Sequence, residues 1–316
     1  MKKSMNLKDK KITVLGIGGV GGYLGALLAE HYEHVSFVAR GKRGESIREN
    51  GLVLHSEYRG ERICHPERVV ESAAELEVQD YIFVCVKNYS LEEAMRSLDG
   101  AVDEHTVIIP VMNGADTGDR VRSYLSKGQV VDSLIYIITF ANEDYSITQQ
   151  GMYTIVWIGI HEADEKQKAQ LEELNQLLND AEIESRIAED IHRQIWKKYI
   201  MNCAYNVETA AYRNTIGQLR NDEQKAKEYE CLIKEAYDVA VAKNINMKES
   251  DLDWLIRRFY EELSDGDTSS LQRDVEAGRQ SELDTFCGYL VREAEKLQVP
   301  VPVTKKMYEM LLESTM

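Results

Sequence analysis

Cysteine and histidine are too scattered in this sequence to build a disulfide framework or a metal site. The five cysteines are odd in number, lie far apart and form no CxxC motif. This usage is typical of reduced thiols, and we therefore expect a cytoplasmic protein. The seven histidines form neither an HxH nor an HExxH pair, so the sequence predicts no metal site.

Basic residues are outnumbered, and long apolar runs are missing. The 54 acidic side chains exceed the 38 lysines and arginines, which gives a formal net charge of −16. A surface this negative repels nucleic acid and anionic membranes, and no run approaches the ~20 apolar residues of a membrane span. The uncharged run from Ile12 to Ala29 resembles a signal peptide, but its six glycines are better explained by the motif described below. We expect no nucleic acid and no membrane among the partners.

The chain of 316 residues is long enough for two domains or one large one, and its 43% of apolar residues can form a sizeable core. In the first part, helical stretches alternate with short apolar runs, among them "KITVLG", "HVSFVAR", "YIFVCVK" and "TVIIPVMNG". Strands that are apolar throughout and alternate with helices indicate a parallel sheet covered on both faces. Between residues 130 and 160 the pattern predicts antiparallel additions.

Helical periodicity dominates the chain after about Asp190. The predicted helices cover residues 191–212, 222–243, 248–263, 271–296 with a break near Gly278, and 304–314. Three of the four prolines lie at predicted boundaries, Pro110 at a strand end and Pro300 and Pro302 before the last helix. The sequence therefore predicts an α/β domain over residues 1–189 and an all-α domain over residues 190–316.

A glycine-rich motif lies between the first predicted strand and the first predicted helix. In "VLGIGGVGGYLG" the first glycine of Gly16-x-Gly18-x-x-Gly21 permits a tight turn, and the second lets a pyrophosphate approach the backbone. The third lets the helix pack closely on the strand, and the helix N-terminus faces the phosphates. In this context a dinucleotide site is a better explanation than a merely tight turn. The candidate residues are Gly16, Ile17, Gly18, Gly19, Val20 and Gly21.

The end of the second predicted strand indicates which dinucleotide is bound. An NAD site usually places an acidic residue there to hold the ribose hydroxyls. Here the strand ends in "VARGKR", with Arg40, Lys42 and Arg43 and no acid before Glu45. Because guanidinium and ammonium groups pair well with phosphate, this cluster favours a site for the 2′-phosphate of NADPH. The alternative is an ordinary solvated loop that contains basic residues.

The stretch "IWKKYIMNCAYNVETAAY" aligns a lysine and two asparagines along one predicted helix. Lys198, Asn202 and Asn206 are spaced i, i+4 and i+8, beside apolar residues. Asparagine is a mediocre helix former and is costly to bury, so one interpretation of this alignment is a helix face that lines a functional site. The alternative is an amphipathic surface helix with all three side chains in water. Lys197 points about 100° away, and we expect it to be a surface charge.

These stretches resemble the ketopantoate reductase family (2-dehydropantoate 2-reductases), over nearly the whole chain. The resemblance rests on "ITVLGIGGVGGYLG", "VCVKNYSLEEA", "MNG" at residues 112–114, "WKKYIMNCAYN" and "SSLQRDVEAGRQSELDTFCGYLV". It implies a Rossmann domain followed by a helical domain. It also implies NADPH-dependent reduction of 2-ketopantoate to pantoate, a precursor of coenzyme A, and hence a small 2-oxo acid as substrate.

The resemblance also implies roles for single residues. The family's catalytic lysine falls on Lys198 and its glutamate on Glu282. Its helical asparagines fall on Asn202 and Asn206, and its substrate-carboxylate serine falls on Ser270. Its cofactor contacts fall on the glycine loop, Arg40, Lys87 and Asn113. The chain departs from the family after the second asparagine, where Val207 replaces a frequent proline and "ETAAYRNT" is unusually polar.

Each of these assignments has a plainer alternative in the residues themselves. Without the resemblance, Glu282 would be interpreted as a solvated carboxylate on a helix face. Lys87 would be interpreted as a lysine that snorkels at a strand end. Ser270 can also be a helix N-cap, with Asp274 in the first turn.

The leading hypothesis is an NADPH-dependent 2-oxo acid reductase acting on ketopantoate, in which the lysine helix forms one wall of a cleft between the domains. Lys198 would polarise the ketone and supply the proton, and Glu282 would hold Lys198 by an ion pair or accept a hydrogen bond from a substrate hydroxyl. The alternatives are an NADP-dependent oxidoreductase of another 2-oxo or 2-hydroxy acid, and a non-catalytic NADP-sensing protein. A homodimer through the helical domain is a further hypothesis.

Overall fold

A computed structural model describes residues 7–315, and the chain divides after Ile191 into two compact units. The first unit is α/β and the second, from His192 onward, is entirely helical. The predicted fold class, a Rossmann-type unit followed by an all-α unit, is thereby confirmed. None of the helices in the described part of the chain combines the length and the apolar composition needed to cross a bilayer.

The first unit contains eleven strands and five α-helices within residues 7–191. Its strands are β1 (Ile12–Leu15), β2 (Val35–Val38), β3 (Leu52–Ser56), β4 (Gly60–Cys64), β5 (Arg68–Val70), β6 (Tyr81–Val84), β7 (Val107–Pro110), β8 (Gln129–Val130), β9 (Asp132–Ala141), β10 (Ile147–Gly159) and β11 (Ser185–Ile187). Its helices are α1 (Gly19–His31), α2 (Gly41–Asn50), α3 (Leu91–Arg96), α4 (Thr117–Tyr124) and α5 (Glu165–Asp180).

Six of these strands form a parallel sheet in the order β5-β2-β1-β6-β7-β8. Every residue of β1, β2, β6 and β7 is buried, which is why these strands are apolar throughout. Counted along the chain within this sheet, the order is 3-2-1-4-5-6, that of the doubly wound dinucleotide-binding fold. The order reverses between β1 and β6, whose carboxyl ends therefore flank a ligand crevice.

A second, five-stranded sheet joins β11-β10-β3-β4, and β9 pairs with β10 in antiparallel fashion. The strands predicted between residues 130 and 160 correspond to β9 and β10, whereas β3 and β4 are not predicted from the sequence. The reason is visible in the burial of β4, where four of five residues are exposed or partly exposed, so its sequence "GERIC" carries almost no apolar signal. Edge strands of this kind are set by pairing with a neighbour, here β3, and not by their own composition.

The second unit is built around α6, which begins at Ile191 and ends at Tyr212. The remaining elements are α7 (Ile216–Arg220), α8 (Glu223–Ala242), α9 (Glu249–Glu261), α10 (Ser270–Glu276), a π-helical turn (Asp284–Gly288), α11 (Tyr289–Leu297) and α12 (Pro302–Thr315). The interruption predicted near Gly278 separates α10 from the π-helical turn, and Gly278 has φ +62°, in the left-handed region. The short helix α7 is not predicted from the sequence.

No residue of α6 is exposed. Its polar side chains are therefore buried or partly buried, as its apolar ones are. The alternative of an amphipathic surface helix, with Lys198, Asn202 and Asn206 in water, is wrong.

Candidate active site

The glycine loop joins β1 to α1 at the point where the strand order reverses. Gly16 has φ +97°, a conformation that residues with a Cβ rarely adopt. A Cβ on Gly21 would lie 2.0 Å from the carbonyl oxygen of Gly16, so α1 packs on the loop only without a side chain there. No atom lies within 4 Å of a Cβ built on Gly18. The backbone at Gly18 is thus open to a pyrophosphate, and the loop fits a dinucleotide.

The loops after β6 and β7 bring polar groups to the same edge of the sheet. Lys87 is partly buried and directly precedes a 3-10 turn at Asn88–Ser90. The buried Asn88 side chain donates to the carbonyl oxygen of Asn113 at 2.8 Å and accepts from Arg120 at 2.7 Å. Asn88 and Arg120 therefore tie together the loops that carry Lys87 and Asn113. Sequence reasoning missed both, although an asparagine directly after the predicted strand "YIFVCVK" was a usable signal.

The basic tip of β2 is the start of a helix, not an irregular loop, because Arg40 directly precedes α2. Arg40 Nη1 lies 2.7 Å from Oε1 of Glu93, in the first turn of α3. Arg43 Nη1 donates to the carbonyl oxygen of Tyr145 at 3.2 Å, and its guanidinium lies 5.4 Å from the centre of that ring. Arg43 is thus turned toward the β9–β10 connection, which leaves Arg40 and Lys42 as the basic groups of the strand tip.

In the second unit, Lys198 lies on α6 with a partly buried side chain. Burial lowers the pKa of its ammonium group from the ordinary 10.5 to about 8, and the negative charge of Glu282 opposes that lowering. Glu282 is itself only 6% exposed, so the solvated carboxylate considered as its alternative is wrong. The structure therefore brings Lys198 and Glu282 into electrostatic contact in a poorly solvated setting. A lysine with this pKa can hold and release a proton near neutral pH.

The two asparagines continue the same face of α6. Asn202 is 8% exposed, and its carboxamide makes no hydrogen bond within residues 7–315. Asn206 is 4% exposed, and its Oδ1 accepts from the Ser270 hydroxyl at 3.2 Å and from the backbone N–H of Leu271 at 3.4 Å. The amide nitrogen of Asn206 likewise has no acceptor in the described chain. Both carboxamides thus keep polar atoms that can bind a ligand oxygen.

The N-cap of α10 is Ser269, so the expectation that Ser270 caps this helix is wrong. The Ser269 hydroxyl oxygen accepts from the backbone N–H of Gln272 at 3.0 Å and from the Thr209 hydroxyl at 2.7 Å. Asp274 forms an ion pair with Arg279 at 2.9 Å. Since Ser269 does the capping, Ser270 is placed next to Asn206.

A π-helical turn, Asp284–Gly288, begins two residues after Glu282. Turns of this kind are rare and occur frequently at functional sites. The carbonyl oxygen of Thr285, within the turn, accepts from the buried Tyr199 hydroxyl at 2.8 Å. Tyr199 is the residue after Lys198, and its ring also packs edge-on against Tyr289 at 5.8 Å. These contacts tie the segment that carries Glu282 to the lysine of α6.

Lys197 is not the solvated surface charge that the sequence predicts. Its Nζ lies 3.2 Å from Oδ1 of Asp251, which is buried and also binds Arg193 at 2.8 Å. The ammonium also lies 4.5 Å from the centre of the Trp254 ring. Lys197 therefore fastens α6 to α9, and helical spacing correctly separates it from the face of Lys198.

Glu208 is a buried carboxyl group that sequence reasoning did not select. It is 0% exposed, and neither carboxyl oxygen has a hydrogen-bond partner in the described residues. Burial, followed by the negative charge of Glu228, raises its pKa to about 9. Glu208 lies about 200° around α6 from Asn206 and thus on the opposite side of the helix. Its protonation is therefore coupled to the stability of the helical unit.

Metal ligands are not clustered in the described part of the chain. Within residues 7–315, no group of three or more His, Cys, Asp or Glu side chains is arranged to hold a metal ion. The chemistry available in the second unit is that of Lys198, its carboxylate partner and the two carboxamides, and that of the first unit is the dinucleotide loop.

Two family models match this chain, one for each unit. The model described as "Ketopantoate reductase PanE/ApbA" matches residues 12–163, and "Ketopantoate reductase PanE/ApbA C terminal" matches residues 190–314. Among curated relatives, "Uncharacterized oxidoreductase YkpB" of Bacillus subtilis is 29% identical over 298 residues. The alignment covers 94% of this chain and 96% of YkpB.

Solved structures agree with this assignment. A 2-dehydropantoate 2-reductase from Porphyromonas gingivalis W83 superposes with a TM-score of 0.79 at 29% identity, covering 96% of this chain and 99% of its own. The ternary structure of D-mandelate dehydrogenase with NADH and anilino(oxo)acetate has a TM-score of 0.85 at 19% identity, covering 96% and 98%, and shows the fold alone. The two family models together span most of the chain, which therefore belongs to the ketopantoate reductase family of oxidoreductases.

Proposed function

We propose that this oxidoreductase uses NADPH to reduce a 2-oxo acid, and that its substrate is 2-ketopantoate, which becomes pantoate in pantothenate and coenzyme A biosynthesis. One observation carries the proposal. Lys198 lies beside Glu282 in a poorly solvated setting, on a face that continues with two carboxamides able to bind ligand oxygens.

Lys198 performs the acid chemistry in this proposal. Its ammonium donates a hydrogen bond to the ketone oxygen and stabilises the negative charge that develops there. It then transfers a proton to that oxygen, so the product leaves as an alcohol and the lysine is left neutral. With a pKa of about 8, the group is mostly protonated at pH 7 and still acidic enough to give up its proton. Glu282 favours the charged form of the lysine.

Asn202, Asn206 and Ser270 orient the substrate. The carboxamide of Asn202 and the amide nitrogen of Asn206 keep hydrogen-bonding capacity within the described chain. A 2-oxo acid presents carboxylate and carbonyl oxygens, and ketopantoate adds a hydroxyl group. Buried amides matched to such oxygens discriminate strongly, because a substrate lacking a partner leaves them unsatisfied.

The first unit supplies the cofactor site. The glycine loop would hold the pyrophosphate of the cofactor, and Arg40 would hold its 2′-phosphate. Lys87 and Asn113 would contact the part of the cofactor that lies at the carboxyl ends of β6 and β7. When bound, NADPH supplies the hydride for the ketone carbon. The open backbone at Gly18 and the 3-10 turn after Lys87 support this assignment.

A second candidate is oxidation or reduction of a different 2-hydroxy or 2-oxo acid. Two observations favour it: the fold is shared with a D-mandelate dehydrogenase, and the polar stretch after Asn206 departs from the family pattern. A lysine with a pKa of about 8 also serves as a base for alcohol oxidation when the pH is raised.

The test is a substrate panel assayed by loss of nicotinamide absorbance. Purified protein is given NADPH or NADH with ketopantoate, small aliphatic 2-oxo acids and aryl 2-oxo acids. Our proposal expects the highest kcat/KM for ketopantoate with NADPH. A clear preference for an aryl 2-oxo acid would support the second candidate. NADPH binding without turnover of any 2-oxo acid would indicate the non-catalytic NADP-sensing protein instead.

We further propose a cytoplasmic location and a homodimer formed through the helical unit. All five cysteines are free thiols, which fits a reducing compartment. Sedimentation of the purified chain tests the dimer: a single species at the monomer mass, at micromolar concentration, would rule it out.

A further inference from the structure

Arg40, at the basic tip of β2, forms an ion pair with an acidic residue from a different part of the chain. Arg40 Nη1 and Glu93 Oε1 are 2.7 Å apart, and the two side chains are 54% and 68% exposed. Arg40 Nε also donates to the carbonyl oxygen of Glu71 at 3.4 Å. The guanidinium proposed to receive the 2′-phosphate of NADPH thus already binds a carboxylate, in a position that solvent and ligands can reach.

A carboxylate at this place treats the two nicotinamide cofactors differently. The 2′-phosphate of NADPH carries a charge of about −1.5 to −2 at neutral pH, and it competes with Glu93 for the same guanidinium N–H groups. If the carboxylate stays nearby, it also repels the phosphate. NADH has a neutral 2′-hydroxyl instead, which donates a hydrogen bond to a carboxylate without repulsion.

The neighbouring basic groups do not remove this conflict. Arg43 is turned to the carbonyl oxygen of Tyr145, and Arg48 lies 3.9 Å from the carboxylate of Glu71. Lys42 is exposed and adds one positive charge. Because the Arg40–Glu93 pair is exposed, solvent screens it and a phosphate can displace it, although at a cost to binding.

We propose that Glu93 is a specificity-determining residue, which narrows the preference for NADPH over NADH by competing with the 2′-phosphate for Arg40. This inference rests on the nicotinamide site proposed above. It concerns the ratio of two binding constants, so it is separable from the identity of the 2-oxo acid and from turnover.

The test compares Glu93→Gln with Glu92→Gln as a matched control. Glu92 is the preceding residue, in the same first helical turn, and pairs with Arg96 instead. Both substitutions remove one negative charge, so a general electrostatic effect would appear in both. Dissociation constants for NADPH and NADH are measured by fluorescence titration of the unmodified chain and both variants, at low salt and at 0.5 M salt.

We expect Glu93→Gln to tighten NADPH binding about three- to tenfold at low salt, to leave NADH binding unchanged or weaker, and to lose part of its effect at high salt. Glu92→Gln should change both constants less than about twofold. The inference is overturned if Glu93→Gln changes the NADPH-to-NADH ratio no more than Glu92→Gln does. An unmodified chain that prefers NADH would contradict the proposed function but not this inference, provided that Glu93→Gln still shifts the ratio toward NADPH.

Discussion

The ammonium of Lys197 lies 3.2 Å from the buried carboxylate of Asp251, whereas the adjacent Lys198 is beside Glu282 on another face of α6. Two neighbouring lysines thus have separate functions. One fastens the helix to α9, and the other is the proposed acid. Each environment leads to a different measurable consequence.

Lys197→Ala should lower stability and leave the chemistry intact. It removes one of the two cations on buried Asp251, and Arg193 remains, so we expect a loss of about 1–2 kcal/mol in the free energy of unfolding. Urea denaturation measures this, with the exposed Lys227→Ala as control. A fall in kcat of more than about threefold in the folded variant would show that Lys197 belongs to the active site.

The rate of reduction should fall as the pH rises through the pKa of Lys198. That pKa is lowered to about 8 by burial, so kcat/KM, which reports the free enzyme, should decline above about pH 8. Glu282 opposes the lowering, and Glu282→Gln should therefore move the decline to lower pH. If the unmodified chain and Glu282→Gln have the same pH profile, Glu282 does not influence the pKa of Lys198.

Glu208 should make the protein less stable as the pH rises. Its pKa is raised from the ordinary 4.5 to about 9, so between these values the folded chain keeps a proton that the unfolded chain has released. The contribution of Glu208 to the stability is therefore fully present below about pH 4.5. It is lost progressively as the pH rises to about 9.

Glu208→Gln should remove this pH dependence and stabilise the protein at pH 8 by up to about 5 kcal/mol, since each pH unit between 4.5 and 8 costs about 1.4 kcal/mol. Denaturation midpoints at pH 5 and pH 8 measure the effect, and Glu309→Gln is the exposed control. If the unmodified chain is equally stable at both pH values, Glu208 is not a neutral buried acid.

Arg40→Ala should weaken NADPH binding by about 1–3 kcal/mol, the scale of a lost charge-assisted contact, and leave NADH nearly unaffected. Calorimetric titration of both cofactors measures the difference. Arg96→Ala is the control, because Arg96 is exposed and pairs with Glu92 on α3. Equal affinity for NADPH and NADH in the unmodified chain would contradict the proposed preference for NADPH, and an unchanged NADPH affinity in Arg40→Ala would contradict the proposed role of Arg40.

The parts that sequence reasoning predicts are those set by local pattern. The four fully apolar strands, the glycine turn and the Lys198–Asn202–Asn206 face each follow from residues close together in the chain. The strand β4 and the helix α2 escape prediction because "GERIC" and "GKRGESIREN" carry little apolar periodicity, and pairing or packing partners determine them.

Contacts between residues far apart in the sequence could not be predicted either. Lys197 meets Asp251 and Arg40 meets Glu93 across more than fifty residues of sequence. No spacing rule links positions so far apart. The sequence therefore places the charge of Lys197 in solvent, whereas the structure pairs it with Asp251. Ser269 and Ser270 are adjacent, and only the observed hydrogen bonds decide which of the two caps α10.

The role of Lys198 as the acid is tested by the kcat of Lys198→Ala, with Lys198→Met as a variant of similar length. If Lys198 stabilises the developing alkoxide and donates the proton, kcat for the preferred 2-oxo acid should fall about 100-fold or more. NADPH affinity should stay within about twofold, since the proposed cofactor contacts lie in the first unit. A loss of only a few-fold in folded Lys198→Ala, or an equal loss in Lys197→Ala, would show that Lys198 is not the acid of the reaction.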